Sequence, residues 1–382
     1  MLVFEAKLEE KKQQYERLDE AIRTARFIRN SCIRYWIDNP KIGRYELSAY
    51  AAVLAKEFPW ASKLNSMARQ ASAERTRSAI ARFYDNCKKK AAYIGFPRFK
   101  KHQTHGSVEY KTCGPKLSED RRTIIFTDGF KAGSFKLWGT RNLHFYQLHQ
   151  IKRVRVVRRA DGYYVQFCLD VERVQKREPR GKTIGLDVGL THFYTDSDGQ
   201  TVENPRHLRN SEKALKRLNR RLSKTQKGSK NRALARNRLS RKHLKVIRQR
   251  KDFAVKKALC VIQSNDLVAY EDLQVPNTVR NRKLSKSISD AAWSTLGQWL
   301  EYFGKVFGVV TVAVPPHYTS QDCSNCGEKV KKSLSTRTHK CHHCGFVLDR
   351  DWNAAINILE LALRTVGHTG TNALARHRQE HW

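Results

Sequence analysis

The sequence predicts a multidomain α+β protein, on three observations. Apolar residues recur at helical spacing through the first quarter of the chain. Short β-rich runs flanking Asp-Gly dipeptides follow, and these read as hairpins. Beyond them, strands alternate with long helices around two matched Cys-x-x-Cys pairs. A length of 382 residues accommodates two or three domains. With 40% hydrophobic and 10% aromatic residues the chain has enough apolar surface for real cores, which excludes a wholly disordered basic tail.

The elements follow in order. Leu2, Val3 and Phe4 suggest a first strand. Leu18, Ile22, Ala25 and Ile28 share one helical face, and Asn39-Pro40 breaks that helix. Phe58-Pro59 breaks a second helix, and a third spans about residues 63–93. The period then changes. Runs at 123–126 and 134–138 flank Asp128-Gly129, and runs at 154–157 and 163–171 flank Asp161-Gly162, so a small β-barrel or sheet domain is expected. Strands follow at 183–188 and 191–195, with more sheet after Asp198-Gly199. Residues 206–257 read as a long helical hairpin turning near Gly228-Ser229, with Leu215, Leu218 and Leu222 on its apolar face. A strand at 267–270, a helix at 290–303, a strand at 309–314, the cysteine cluster and a helix at 351–363 complete the pattern.

Charge narrows the function. The chain carries 74 Lys and Arg against 36 Asp and Glu, a net charge of +38. A charge stripe of this size points to a polyanion partner rather than to a merely soluble surface. Half of it lies in residues 206–257, where 21 Lys and Arg face only Glu212 and Asp252. Lys216, Arg217, Arg220, Arg221, Lys227, Lys230 and Arg232 are the expected phosphate contacts there. No apolar run approaches the roughly 20 residues that span a bilayer. Acids within the first ten residues argue against a signal peptide. A reducing, cytoplasmic setting is expected.

Nine cysteines divide into two groups. Cys32, Cys87, Cys113, Cys168 and Cys260 stand singly and read as small core residues. Cys323 and Cys326 form one Cys-x-x-Cys, Cys341 and Cys344 another, 14 residues apart, each followed by glycine (Gly327, Gly345). Two such knuckles set four thiolates at the corners of a tetrahedron, the arrangement Zn²⁺ prefers. With no open position, that zinc is structural and supports a patch too small to fold alone. The rivals are a redox dithiol pair and replacement of one cysteine ligand by His342 or His343.

Three carboxylates stand out. Asp187 lies within the apolar strand Ile184-Gly185-Leu186-Asp187-Val188-Gly189, Glu271 closes the strand at 267–270, and Asp351 opens the last helix. Singly, Asp187 could accept turn amides, Glu271 could meet a lysine and Asp351 could cap a helix. Together they can converge, and converging carboxylates hold Mg²⁺ for phosphodiester hydrolysis. Helical spacing places Asp351 on the apolar stripe of Ala354, Ala355, Ile358 and Ala362, apart from a polar stripe of Asn353, Asn357, Glu360 and Arg364. Asp349 is then the N-cap.

On these residues the chain resembles the TnpB (OrfB) family of transposon-encoded RNA-guided nucleases, related to type V CRISPR effectors. The resemblance runs through Gly185–Gly189, Ser197-Asp198-Gly199, Asn204-Pro205-Arg206, Lys227-Gly228-Ser229-Lys230-Asn231-Arg232, Tyr270-Glu271-Asp272-Leu273, Ser287-Ile288-Ser289-Asp290, both Cys-x-x-Cys pairs and Asp349-Arg350-Asp351. Its N-terminal half is looser, through Gly95-Phe96-Pro97-Arg98-Phe99-Lys100. It implies an RNase H-like (RuvC) nuclease domain with a zinc-ribbon insertion, a β-barrel wedge domain, and a helical recognition domain inserted into the wedge. On this sequence those fall at 1–8 (first wedge strand), 9–93 (recognition), 94–180 (wedge), 181–316 (nuclease), 317–347 (ribbon), 348–366 (last nuclease helix) and 367–382 (disordered tail).

The resemblance also implies a guide RNA, a double-stranded DNA target cut beside a short target-adjacent motif, and a prokaryotic, nucleoid-associated setting with no membrane partner. Asp187, Glu271 and Asp351 fall on the family's catalytic, Mg²⁺-binding positions. Some relatives lack those acids and act as RNA-guided repressors. The alternatives are a zinc-ribbon nucleic-acid-binding regulator without cleavage, and a guide-independent resolvase or transposase.

Overall fold

The computed structural model describes residues 2–9, 12–91, 94–101, 106–111, 114–139, 143–273, 293–333 and 336–367. The segment 287–290, Cys113 and the tail from 368 lie outside the described residues. The chain divides into two compact units, 1–172 and 173–382.

In the first unit, α1 (Lys12–Asp38) buries Leu18, Ile22, Ala25, Ile28 and Cys32, a single face at helical spacing. α2 (Arg44–Glu57) starts where Glu46 reaches back to the Gly43 N–H at 3.1 Å. Pro59 opens the one-turn α3 (Pro59–Ser62). α4 (Ser66–Lys88) is capped by Asn65, whose side chain accepts the Met67 N–H at 2.8 Å. Its buried face is small (Ala68, Ala71, Ser72, Ala73, Thr76), so neighbouring backbone can approach closely.

Seven strands form a nearly closed sheet in the order β2-β6-β7-β1-β5-β4-β3: β1 (Leu2–Glu9), β2 (Gly106–Lys111), β3 (Pro115–Leu117), β4 (Thr123–Phe126), β5 (Gly133–Trp138), β6 (Ile151–Arg159) and β7 (Gly162–Leu169). β1 lies between β7 and β5, pairing Phe4 with Phe167 and Leu8 with Tyr163 and Leu137. Phe4, Ala6 and Leu8 alternate inward. Helical residues such as Leu18 and Ile28 share one core with Phe135 and Phe167 of the sheet. The helices and the sheet therefore share one hydrophobic core.

The second unit is built on a five-stranded sheet, β10-β9-β8-β11-β12: β8 (Thr183–Asp187), β9 (His192–Asp196), β10 (Thr201–Glu203), β11 (Leu267–Glu271) and β12 (Val310–Val314). β8, β11 and β12 run parallel, and β9 is antiparallel to both of its neighbours, β8 and β10. Alternation assigns the two faces. Ile184, Leu186, Val268 and Tyr270 join a core with α6 (Lys230–Ser264) and α7 (Trp293–Phe307). Leu267, Ala269 and Val314 join a second core with Ile358, Leu359 and Ala362 of α8 (Arg350–Thr365).

α5 (His207–Ser223) and α6 form the basic hairpin. Gly228, at φ +88°, makes its turn, and Ser229 caps α6 by accepting the Arg232 N–H. The short strands β13 (Thr338–Lys340) and β14 (Val347–Asp349) belong to the cysteine ribbon, and β14 runs directly into α8. Cys32 and Cys168 are buried as expected of core residues, but Cys260 is exposed on α6. Among the described residues no helix is long and apolar enough to cross a membrane.

Candidate nuclease and metal centres

Register brings the first two acids together. Leu186 of β8 pairs with Tyr270 of the parallel strand β11, so the next residues, Asp187 and Glu271, end neighbouring strands at the same level. Both have the parity of Gly185 and Ala269, the face that receives α8. Gly185 explains how close α8 lies. A Cβ there would stand 2.2 Å from the Ala355 carbonyl oxygen, so only glycine permits this approach. Asp351 sits one turn before Ala355, on the same helix face.

The electrostatics agree with this placement. Burial pushes the Asp187 carboxyl well above the usual carboxylate range, and the nearby charges of Glu271 and Asp351 push it further. Burial also raises Glu271, against a hydrogen bond that Thr319 Oγ1 donates to its Oε1 at 2.5 Å. Acids crowded in this way are a donor set for a divalent cation.

The acids are not, however, drawn to a point. Among the described residues, the four cysteines are the only group of three or more His, Cys, Asp or Glu whose ligating atoms all lie within 4.8 Å of one another. Asp351 instead carries two guanidiniums. Arg350 Nη2 donates to its Oδ1 at 2.7 Å, and Arg337 Nη1 to its Oδ2 at 3.1 Å. Arg337 also holds Thr191 Oγ1 at 2.8 Å. Sequence reasoning missed Arg337 and Thr319, because both reach the acids from the ribbon and the loop before it. Asp349 occupies the N-cap, its carboxylate accepting the N–H groups of Asp351 and Trp352.

Asn353 and Asn357, on the polar stripe of α8, are buried. Asn353 Nδ2 donates to the Asp322 carbonyl at 2.8 Å, and its Oδ1 accepts the Ser324 N–H at 3.0 Å. Asn357 Nδ2 donates to the carbonyls of Thr319 and Asp322, each at 2.8 Å. A helix-facing loop whose backbone needs partners makes asparagine an interior residue here. The i,i+4 spacing of the two asparagines was the available signal.

The cysteine cluster is closed. Cys323 Sγ lies 3.7 Å from Cys344 Sγ, and Cys326 Sγ 3.6 Å from Cys341 Sγ. Each knuckle is fixed by an amide, Gly327 to the Cys323 carbonyl at 2.8 Å and Gly345 to that of Cys341 at 3.1 Å. Four sulfurs with no fifth donor suit a structural Zn²⁺. His342 and His343 are exposed and outside the cluster.

On the hairpin, Lys216, Arg217, Arg220, Arg221, Lys227 and Lys230 are exposed. Arg232 is not part of that surface. Its Nη1 turns inward to the carbonyls of Leu222 and Thr225, at 3.1 and 2.7 Å, where it satisfies the end of α5.

Two family models match the chain. OrfB_IS605, "Probable transposase", covers residues 166–282, and the Cas12f1-like TNB domain covers 293–358. A "Putative RNA-guided DNA endonuclease" of Streptomyces pristinaespiralis is 30% identical over 81% of this chain and 74% of its own. The Escherichia coli K12 protein of the same description, InsQ, is 29% identical over 80% of this chain and 76% of its own. The cryo-EM structure of a Cas12f1-sgRNA-target DNA complex shares the fold at a TM-score of 0.57 and 15% identity, covering 91% of this chain and 83% of that one.

Proposed function

The chain belongs to the TnpB (OrfB) family of transposon-encoded RNA-guided nucleases, and we propose that it is itself an RNA-guided, Mg²⁺-dependent DNA endonuclease of an insertion sequence. The observation that carries this reading is the pairing of Asp187 and Glu271, in register on parallel strands, on the face that receives Asp351. In this reading the second unit is an RNase H-like (RuvC) nuclease domain with a zinc-ribbon insertion, and the sheet of the first unit is the wedge.

Asp187, Glu271 and Asp351 would hold Mg²⁺, which when bound activates water and stabilises the leaving oxygen of a phosphodiester. Thr319 orients Glu271 through its hydroxyl, and Arg350 and Arg337 orient Asp351. Arg337 also brings positive charge to where a scissile phosphate would lie. The ribbon, held by Zn²⁺ on Cys323, Cys326, Cys341 and Cys344, positions Arg337. The exposed cations of the hairpin track phosphates of the guide RNA and the target DNA. Sequence choice falls to pairing between guide and target strand, beside a short duplex motif read by the protein.

The test is purification of the full chain followed by sequencing of any copurifying RNA. The protein reprogrammed with that RNA should cut a matched DNA target in Mg²⁺ and leave it intact in EDTA. Binding of the matched target without cutting in Mg²⁺ would instead favour a guided repressor.

A further inference from the structure

The first unit holds a cleft of about 950 Å³ that the proposed nuclease centre does not use. Its walls come from α1, α4, the segment 95–101 and the strands β2 and β6. The segment is strapped to α1. Asn30 Nδ2 donates to the Lys100 carbonyl at 3.0 Å, and Asn30 Oδ1 accepts the Lys100 N–H at 2.9 Å. Arg29 Nη1 donates to the Arg98 carbonyl at 3.2 Å.

Nine Lys and Arg line the cleft, and no carboxylate does. Two of the nine are matched from outside it, Arg155 by Glu109 and Arg158 by Asp19, both at 2.6 Å. Among the described residues Arg29, Arg75 and Lys100 enter no ion pair; Arg75 Nη1 donates to the Ser107 hydroxyl at 3.2 Å and shares the charge of Glu109 with Arg153 and Arg155. The crowding has a chemical signature. Burial, then the charges of Arg75, Arg29 and Arg155, pull the Lys100 pKa down to about 8. Arg29 and Lys100 are desolvated beside other cations, which is costly, so this arrangement suits a resident polyanion.

A phosphate alone would not call for the rest of the lining. Phe96 and Phe99 are each 49% exposed at the cleft. Phe96 packs against Trp36, at 5.4 Å between ring centroids, whereas Phe99 enters no ring–ring contact among the described residues. An open aromatic face beside guanidiniums is a stacking platform for an unpaired base. Duplex DNA offers no free base face, while RNA loops and ends do.

We propose that this cleft clamps an unpaired stretch of the guide RNA, its phosphates on Arg29, Arg75 and Lys100 and a base stacked on Phe99. The identity of the RNA as a guide rests on the function proposed above, but the site itself does not.

The experiment uses the full chain and three probes: a short oligouridylate bearing 4-thiouridine, the DNA oligonucleotide of matching sequence, and a blunt DNA duplex. Irradiation should cross-link the RNA to residues 94–101. Replacing both Arg29 and Lys100 by Gln should flatten the salt dependence of RNA binding by about 1.4, at about 0.7 for each single-strand phosphate released. Phe99→Ala should weaken RNA binding by about 5- to 150-fold, and Phe99→Tyr should restore it. Cross-links confined to other segments of wild-type protein overturn the proposal even if a variant fails to fold. So do variants that weaken only the duplex, or that change neither slope nor affinity. A protein that cross-links here but cuts no guided target removes the nuclease reading and keeps this site. Guided cutting without the cross-link does the reverse.

Discussion

The carboxylate of Asp349 accepts the backbone N–H of Asp351 at 2.9 Å, so one acid of the Asp-Arg-Asp motif holds the helix start on which the other stands. Asp349 also accepts the Trp352 N–H at 3.2 Å through the same Oδ1, so that oxygen is committed to the helix start. Asp351 keeps its oxygens for Arg350 and Arg337, on the side of the sheet where Asp187 and Glu271 end their strands.

The two acids should therefore separate by experiment. Asp349→Ala should lower stability by about 1 kcal/mol, the usual cost of a lost cap, and keep measurable cleavage. Asp351→Ala should abolish cleavage. A dead Asp349 variant beside an active Asp351 variant would reverse the assignment.

The N-cap position of Asp349 was legible in the sequence, because helical spacing puts Asp351 inside the helix on the stripe of Ala354, Ala355 and Ile358. The convergence of Asp187 and Glu271 was legible as two strand-ending acids, though their common register depends on a pairing between segments some 80 residues apart. The roles of Asn353, Asn357 and Arg232 were not legible. Polar residues on a helix read as surface until a loop is known to pass over them. Asn353 and Asn357 serve carbonyls of residues 319–322, and Arg232 serves those of Leu222 and Thr225. Likewise β1 finds its place only through β5 and β7, more than 120 residues downstream. Non-local backbone partners leave no periodic trace in the chain.

Asp187→Asn and Glu271→Ala should each abolish cutting and leave guided DNA binding nearly unchanged, since under the proposed function they remove metal ligands rather than groups that hold phosphates. Asp187→Asn should also hold or raise the melting temperature in EDTA, because it removes a buried charge beside Glu271 and Asp351. Near wild-type cutting by either variant sinks the assignment, and a marked fall in melting temperature for Asp187→Asn contradicts the crowding argument.

On the hairpin, replacing Lys216, Arg217, Arg220 and Arg221 by Ala should weaken nucleic-acid binding broadly and flatten the salt slope, by about 0.9 for each duplex phosphate no longer neutralised. Arg232→Ala should instead loosen the hairpin, seen as faster amide exchange around Gly228, with little change in slope. An unchanged slope in the fourfold variant would mean that this face meets solvent only.

Glu109 is 3% exposed and bonded to Arg153 and Arg155, at 2.7 and 2.6 Å. Burial raises its carboxyl, but the hydrogen bonds from the two arginines more than offset this, and the net shift is downward. A carboxyl depressed in the folded state adds stability above its unfolded pKa, about 4.3, and loses it as pH falls through the lower folded value. Acid titration should thus destabilise the first unit below about pH 4. Glu109→Gln should flatten that profile and cost about 3 kcal/mol at neutral pH, the low end for breaking a buried pair, because Glu74 still holds Arg153 at 3.1 Å. A variant with the wild-type acid profile would show that the linkage lies elsewhere.

The ribbon should act on the carboxylates through two side chains that can be followed separately from zinc itself. Cys323 and Cys341 are buried with Val330, and this small cluster has little apolar surface to stabilise it alone. Without metal it should open. Thr319, Asp322 and Ser324 are nevertheless tied to α8 through Asn353 and Asn357, so the loop before the ribbon has its own anchor. Arg337 has a different anchor: its carbonyl accepts the Arg350 N–H at 2.7 Å just before β13, whose partner β14 belongs to the same ribbon, so its reach to Asp351 and Thr191 depends on that pairing. Cys341→Ser should therefore remove the single bound zinc and expose amides of β13 and β14 to exchange. The Thr319 hydrogen bond to Glu271 should survive, and the Arg337 pairing with Asp351 should break. Cleavage should fall sharply while the five-stranded sheet stays protected. Arg337→Ala in zinc-loaded protein should reproduce the fall in cleavage without loss of metal. Elemental analysis finding no zinc in folded, active protein would end the zinc claim, and full activity of Arg337→Ala would end the coupling.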